Sequence, residues 1–224
     1  MPKLEVDAKV NVLALTSFIL SLLAIGNQFA SYVYGARVQL HAPQSVILRA
    51  IKFPSSGENM YLNLETPVTF TNLGAIGYNG IVTHQVLEIK IDNHRKKLNS
   101  YWHFLDVDDR NTSLNREPEY RGTEPAGPKV VPAQGAITHY TRFISKATAC
   151  KQDQSSRCDP AENIINLDEG TLKKLSELDR LEIKVSADII GGKSQSVGCW
   201  INGKNIDVKQ LTTVGWAVVD CYPM

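Results

Sequence analysis

Hydrophobic and polar positions divide the chain into two regimes. From Val10 to Ala36 no charged residue occurs, a run of 27. Its most apolar part, Val12 to Ile25 (VLALTSFILSLLAI), has only Thr16, Ser17 and Ser21 as polar interruptions. An apolar run of this length predicts a helix, and roughly 20 residues at about 1.5 Å each cross the hydrocarbon of a bilayer. From Arg37 onward the period shortens to two. Val38 and Leu40 alternate with Gln39 and His41, and strands are predicted over 45–53, 61–72, 80–91, 99–107, 136–144, 181–190, 195–201 and 214–222. In the sixth of these, Leu181, Ile183, Val185, Ala187 and Ile189 share one face, and Glu182, Lys184, Ser186 and Asp188 share the other. Leu172, Leu175 and Leu178, with Asp168 or Thr171 as N-cap, predict one short amphipathic helix before it.

Turn chemistry separates the strands at Gly77-Tyr78-Asn79-Gly80, Gly191-Gly192 and Asn202-Gly203, where positive φ is reached at little steric cost. Two connections, 106–129 and 146–163, are polar and aperiodic, as mobile or functional loops are. About eight strands with few helices between them imply a mainly β domain, an antiparallel β-sandwich.

The uncharged run sets the expected organisation: a short cytoplasmic head at 1–9, a transmembrane anchor helix at 10–36 and an extracytoplasmic β-sandwich domain at 37–224. Membrane lipid is therefore the first expected partner. Fourteen residues alone fall short of a span; adding 26–34 supplies the length, with Phe29, Tyr32 and Tyr34 placed as an interfacial aromatic belt. Two other readings compete. Ala24-Ile25-Gly26 has the small-x-small form of a signal-peptide cleavage site, but Glu5 and Asp7 in the head and ten further uncharged residues after Gly26 oppose it. A buried core helix would accommodate Asn27 and Gln28, whose amides are costly in lipid unless paired. Lys3 and Lys9 before the run, against Arg37 after it, place the N-terminus inside. Ser17, Ser21, Ala24, Gln28 and Ser31, at spacings of 4, 3, 4 and 3, form a stripe of small and polar side chains. Such a stripe lets a second membrane helix approach, from a partner or another copy.

Charge narrows the function classes. With 24 Lys and Arg against 23 Asp and Glu, net +1, the chain is no strongly basic nucleic-acid binder, and no nucleic-acid partner is expected. The four cysteines, Cys150, Cys158, Cys199 and Cys221, all follow the apolar run, as an oxidising compartment permits. Of three possible pairings, Cys150–Cys158 and Cys199–Cys221 are favoured, the first closing a polar loop and the second tying neighbouring strands. No close cysteine pair suits zinc.

His103, Asp106 and His139 would form a metal or acid–base site if their strands were neighbours, which is the basis of a hydrolase reading. Nothing in their spacing demands it, and a packing role for the histidines is favoured. Asp106, Asp108, Asp109 and Asn111 resemble calcium ligands, but the sixth position of the loop lacks its glycine. No nucleophile elbow, phosphate loop or dinucleotide fingerprint occurs. No catalytic residue, metal or cofactor is therefore assigned. The expected contact surface is the aromatic and acidic segment Tyr101, Trp102, His103, Asp106 and Asp108.

The segment VTFTNLGAIGYNGIV (68–82) resembles the strand–turn–strand signature of bacterial immunoglobulin-like and cell-adhesion-related sandwich domains. The whole plan resembles bacterial single-pass membrane proteins with an extracytoplasmic immunoglobulin-like sandwich. That resemblance implies ligand or partner binding and assigns no chemistry. The type IV pilins share the outline, but no Glu stands at the fifth position after Gly26. Copper-delivering assembly factors lack a counterpart here for their close cysteine pair. The expected function is a membrane-anchored binding or assembly module without catalysis, with the hydrolase and a structural subunit of a larger membrane complex as alternatives.

Overall fold

In a computed structural model, residues 12, 14–26, 35–52, 59–91, 94–108, 119–145 and 164–224 are described, apart from the side chains of 102, 105–108 and 119–121. The period-two pattern is realised as strands β1 (Val38–His41), β2 (Ser45–Lys52), β3 (Met60–Asn72), β4 (Gly80–Ile91), β5 (His94–Asp108), β6 (Glu119–Pro125), β7 (Lys129–Val131), β8 (Ala136–Ile144), β9 (Leu181–Ile189), β10 (Gln195–Ile201), β11 (Trp216–Asp220) and β12 (Tyr222–Pro223). Two short helices, α1 (Glu169–Glu177) and α2 (Val208–Thr213), sit in the last third. The fold is mainly antiparallel β.

The strands form one continuous ladder, β11-β2-β3-β8-β5-β4-β9-β10-β12, with β1 beside β3, β6 beside β5 and β7 beside β4. Long β5 carries the pairing from one arm to the other. Its first part, from His94 to Asn99, pairs with β4, and the stretch from Asn99 to Phe104 pairs with β8. A register shift between Ser100 and Trp102 marks the change, since a bulge bends a strand and re-aims it. The two arms meet again at the far ends of the ladder. Asp220 pairs with Ser45 of β2 and Tyr222 with Trp200 of β10, so only Cys221 separates the two edges. The Cys199–Cys221 disulfide, with Cα atoms 5.6 Å apart, fixes that junction as expected. Gln195 of β10 also reaches β1, accepting from the Leu40 amide at 2.8 Å and donating to the Val38 carbonyl.

The sheet therefore encloses a single apolar core. Leu48, Leu64, Phe70 and Phe143 come from one arm, Leu87, Ile183, Val185 and Ile201 from the other, and Leu175 and Leu211 from α1 and α2. Fully burying a side chain of this size contributes about 1.5–3 kcal/mol. β9 buries every second residue, Leu181 through Ile189, as its alternation predicts. Asp168 caps α1 by accepting from the Thr171 amide at 2.7 Å.

Several expectations change. β5 starts at His94 rather than 99, because the run His94-Arg95-Lys96-Lys97 keeps its charges at the surface while the backbone pairs. The supposed loop 106–129 contains β6 and β7, with Glu119 opposite Asp108 and Tyr120 opposite Val107; residues 109–118 lie outside the description. Asn202-Gly203 turns no hairpin. Asn202 accepts from the Lys204 amide at 3.0 Å and opens a single 3-10 turn. Gly203 is required there because a Cβ would collide with the Leu175 and Leu178 carbonyl oxygens of α1. Helix α2, capped by Asp207, forms over residues for which no element was expected, and the last strand begins at Trp216, after Gly215 with φ 93°, rather than at 214.

The segment 68–82 is not a hairpin either. β3 pairs with β1, β2 and β8, whereas β4 pairs with β5, β7 and β9, so residues 73–79 arch between the arms. Asn72, fully buried, holds that arch. Its Oδ1 accepts from the Arg37 and Gly74 amides at 3.0 and 2.9 Å, and its Nδ2 donates to the Tyr78 and Val131 carbonyls at 2.8 and 3.2 Å.

The apolar leader is helical over 14–26. Among the described residues no helix is long and apolar enough to cross a membrane. Residues 10, 11, 13 and 27–34 of the run, including Gln28 and Ser31 of the small-residue stripe, lie outside the description, as do Cys150 and Cys158.

Candidate functional site

Two of the three residues singled out for acid–base or metal chemistry do come together. His103 on β5 and His139 on β8 occupy neighbouring strands, and their rings meet edge to face with centroids 4.5 Å apart. Both point into the core, His103 1% and His139 7% exposed. Asp106 does not join them through the β8 ladder: it stands opposite Arg121 of β6, and its side chain lies outside the description.

Two partners missed by sequence reasoning complete the cluster. Gln85 on β4 lies 3.2 Å from His139 Nε2, and Thr141 on β8 lies 3.1 Å from His103 Nδ1. The Thr141 hydroxyl also donates to Gln85 Oε1 at 3.4 Å. The chain of donors fixes the tautomers. With its oxygen accepting from Thr141, Gln85 turns its amide N–H toward His139, so Nε2 of that ring accepts. Thr141, having spent its proton on Gln85, accepts from His103 Nδ1–H. His103 Nε2 is thereby left as a buried acceptor, and it has no hydrogen-bond partner.

The electrostatics follow from burial. Desolvation first, then the charge of Lys129, push His103 down to about 4, against an upward pull from the Gly127 backbone that does not amount to a well-formed bond to Nε2. Desolvation, His103 and Lys129 push His139 down to about 3. Burial lowers Lys129 itself, which is paired with Glu124. At neutral pH both imidazoles are uncharged. Phe70, stacked on His139 with centroids 6.0 Å apart, closes the apolar side. The bonds from Gln85 and Thr141 tie the pair across the seam between β4, β5 and β8, while His103 Nε2 stays unsatisfied within it. Among the described residues no group of three His, Cys, Asp or Glu side chains gathers as a metal-ligand set.

The expected contact surface is altered by this burial. His103 faces the core and Tyr101 is half-buried, its carbonyl accepting from the Ala126 amide at 2.8 Å. The side chains of Trp102, Asp106 and Asp108 lie outside the description. A second buried charge cluster, not foreseen, occupies the opposite face of β3. Glu65, with no exposed side-chain area, pairs with Arg49 of β2 at 2.8 Å and with Arg142 of β8. Arg142 lies over the Phe104 ring at 5.0 Å. Glu65 stands opposite Arg142 in the register, with Arg49 and Phe104 on the diagonals, an arrangement that appears only once the strands are paired.

No protein-family model matches the chain, and no curated protein matches it. Among solved structures it is similar to Spo0M, the sporulation control protein of Bacillus subtilis, at 11% identity and a TM-score of 0.28. The match covers 75% of this chain and 49% of that one, so the chain spans about half of that protein's length. A likeness of this degree carries no argument.

The leader presents a different kind of site. Val12, Leu15, Phe18, Ile19, Leu20, Leu22, Leu23 and Ile25 are 47–65% exposed, so no face of the helix packs on the β-domain. Two of its hydroxyls bond within the helix: Thr16 donates to the Val12 carbonyl at 3.0 Å and Ser21 to the Ser17 carbonyl at 2.8 Å.

Proposed function

We propose that this chain is a membrane-anchored binding or assembly module, its leader embedded in a bilayer and its β-domain, an immunoglobulin-like sandwich, held outside the cytoplasm. The observation that carries the reading is the exposure of eight large apolar side chains around the whole leader helix. In water a surface of this kind is a liability, and in hydrocarbon it is the required composition. Moving eight such side chains out of water favours insertion by on the order of 10 kcal/mol. The bonded hydroxyls of Thr16 and Ser21 support it further, because an unbonded donor in lipid costs several kcal/mol. The uncharged run extends beyond the helical residues on both sides and offers the length a span needs. The disulfide supports the compartment, since such bonds persist where thiols are oxidised.

The hydrolase alternative through His103, Asp106 and His139 has weaker support. The imidazoles touch, but they are sealed in the core and hydrogen-bonded to Thr141 and Gln85. A general base must reach its substrate's proton directly or through one water.

The test is fractionation of the full chain with alkaline carbonate extraction, combined with maleimide trapping of thiols. The protein should stay in the pellet, Leu20→Asp with Leu23→Asp should release it, and Cys199 and Cys221 should react only after reduction. Recovery of the unaltered chain in the supernatant with reactive cysteines overturns the proposal.

A further inference from the structure

Seven large apolar side chains of the β-domain are exposed among the described residues, and four gather at one pole. Leu73 and Ile76, 61% and 80% exposed, ride on the β3–β4 arch. Val130, 54% exposed, stands opposite Ile81 in the pairing of β7 with β4. Ile190, 59% exposed at the end of β9, donates its amide to the Ile81 carbonyl at 2.9 Å. Single exposed apolar residues are ordinary. Here they come from three separate turns and lie at one end of the molecule.

The leader enters the domain at that same end. The Arg37 amide donates to Asn72 Oδ1 at 3.0 Å, and the Leu73 amide donates to the Arg37 carbonyl at 2.9 Å. The next turn is tied in as well, with the Ala133 amide donating to Asn79 Oδ1 at 3.1 Å. Charge is distributed to match. The stretches 73–79, 132–135 and 190–193 contain no Asp or Glu, while Arg37 and Lys193 are exposed beside them. Of the neighbouring carboxylates, Asp188 accepts from the Ser194 hydroxyl at 2.5 Å and Glu124 is paired with Lys129, next to Val130.

We propose that this pole is a lipid-facing surface, on which Leu73, Ile76, Val130 and Ile190 enter the interfacial zone of the bilayer while Arg37 and Lys193 meet anionic headgroups. Apolar tips flanked by cations are the composition that partitions to a membrane surface. The hydrogen bonds of Asn72 hold the arch rigid, so its apolar tips are presented at a fixed height. The inference rests on the membrane reading of the leader and extends it: the domain lies against the bilayer rather than hanging free from a tether.

The test uses the full chain in vesicles of phosphatidylcholine and phosphatidylglycerol. A fluorescent amino acid sensitive to polarity is placed at position 76, or separately at 20 in the leader or at 214 beside the far end of β2. The cysteines stay untouched. The label at 76 should shift to the blue and be quenched by headgroup-proximal nitroxide lipids several-fold more than at 214. Quenching at 20 with 76 behaving like 214 overturns the proposal and leaves the leader reading intact. Quenching at 76 without quenching at 20 upholds the surface and removes the leader reading. Absence of quenching at both positions overturns both. A blue shift at 76 without lipid quenching identifies a second copy of the chain as occupant and overturns the lipid assignment.

Discussion

Lowering the pH from 7.5 to 5 asks His103 and His139 to take up protons inside the domain. In the unfolded chain an imidazole titrates at its ordinary 6.5, whereas burial holds these two near 4 and 3. Above 6.5 both are neutral in either state, so their contribution to stability is fully present. As the pH falls below 6.5 only the unfolded chain binds protons, and stability is lost until the folded values are reached. At pH 5 the loss is about 2 kcal/mol for each ring and about 4 kcal/mol for the pair. Urea unfolding of the full chain in neutral detergent, followed by tryptophan fluorescence, reads it directly. His139→Phe keeps the stack on Phe70 but leaves the Gln85 amide without its acceptor. That variant should be about 1–3 kcal/mol less stable at pH 7.5, yet lose only about 2 kcal/mol between pH 7.5 and 5. Equal losses in the two proteins, or a folded-state His103 resonance titrating near 6.5, would refute the reasoning.

Three further outcomes test the fold. Replacing Cys199 and Cys221 together by Ser opens a loop of sequence separation 22 and should lower stability by about 3 kcal/mol, read as a lower urea midpoint with a slope that does not fall, since the freed unfolded chain is more expanded. Glu65→Gln removes the buried carboxylate that Arg49 and Arg142 share and should cost about 3 kcal/mol, whereas a neutral result in thermal unfolding would mean the pair is solvated. Asn72→Ala removes four hydrogen bonds at the arch and should cost about 3 kcal/mol, with faster amide exchange at Arg37 and Gly74, whose N–H groups it accepts from, than elsewhere in the sheet.

What could be read in advance was local. β4, β8 and β10 begin and end where alternation placed them, because each buries one face and shows the other. Residue type and spacing narrowed the α1 cap to Asp168 or Thr171, and Asp168 takes the place by accepting from the Thr171 amide. β6 escaped detection because its sequence, EYRGTEP, has no apolar alternation and is held by the β5 backbone. Lys96 and Lys97 concealed the start of β5 for the same reason. The candidate site was half legible. The two histidines were named, but Gln85 and Thr141 carry no signal until the register of β4, β5 and β8 is known. Likewise Leu73 and Ile76 resemble ordinary loop residues until the arch, the β7 turn and the leader's entry are seen at one end.

The placement of Cys221 has a bearing on biogenesis. Ser45 cannot find Asp220, nor Trp200 find Tyr222, before those last strands have emerged, and a pairing as distant in sequence as Ser45 with Asp220 forms slowly. A ribosome- or translocon-bound intermediate thus lacks the β11 edge and the seal beside it. The two arms thus stay apart until late, and oxidation of Cys199 with Cys221 locks their junction only after both edges are in place.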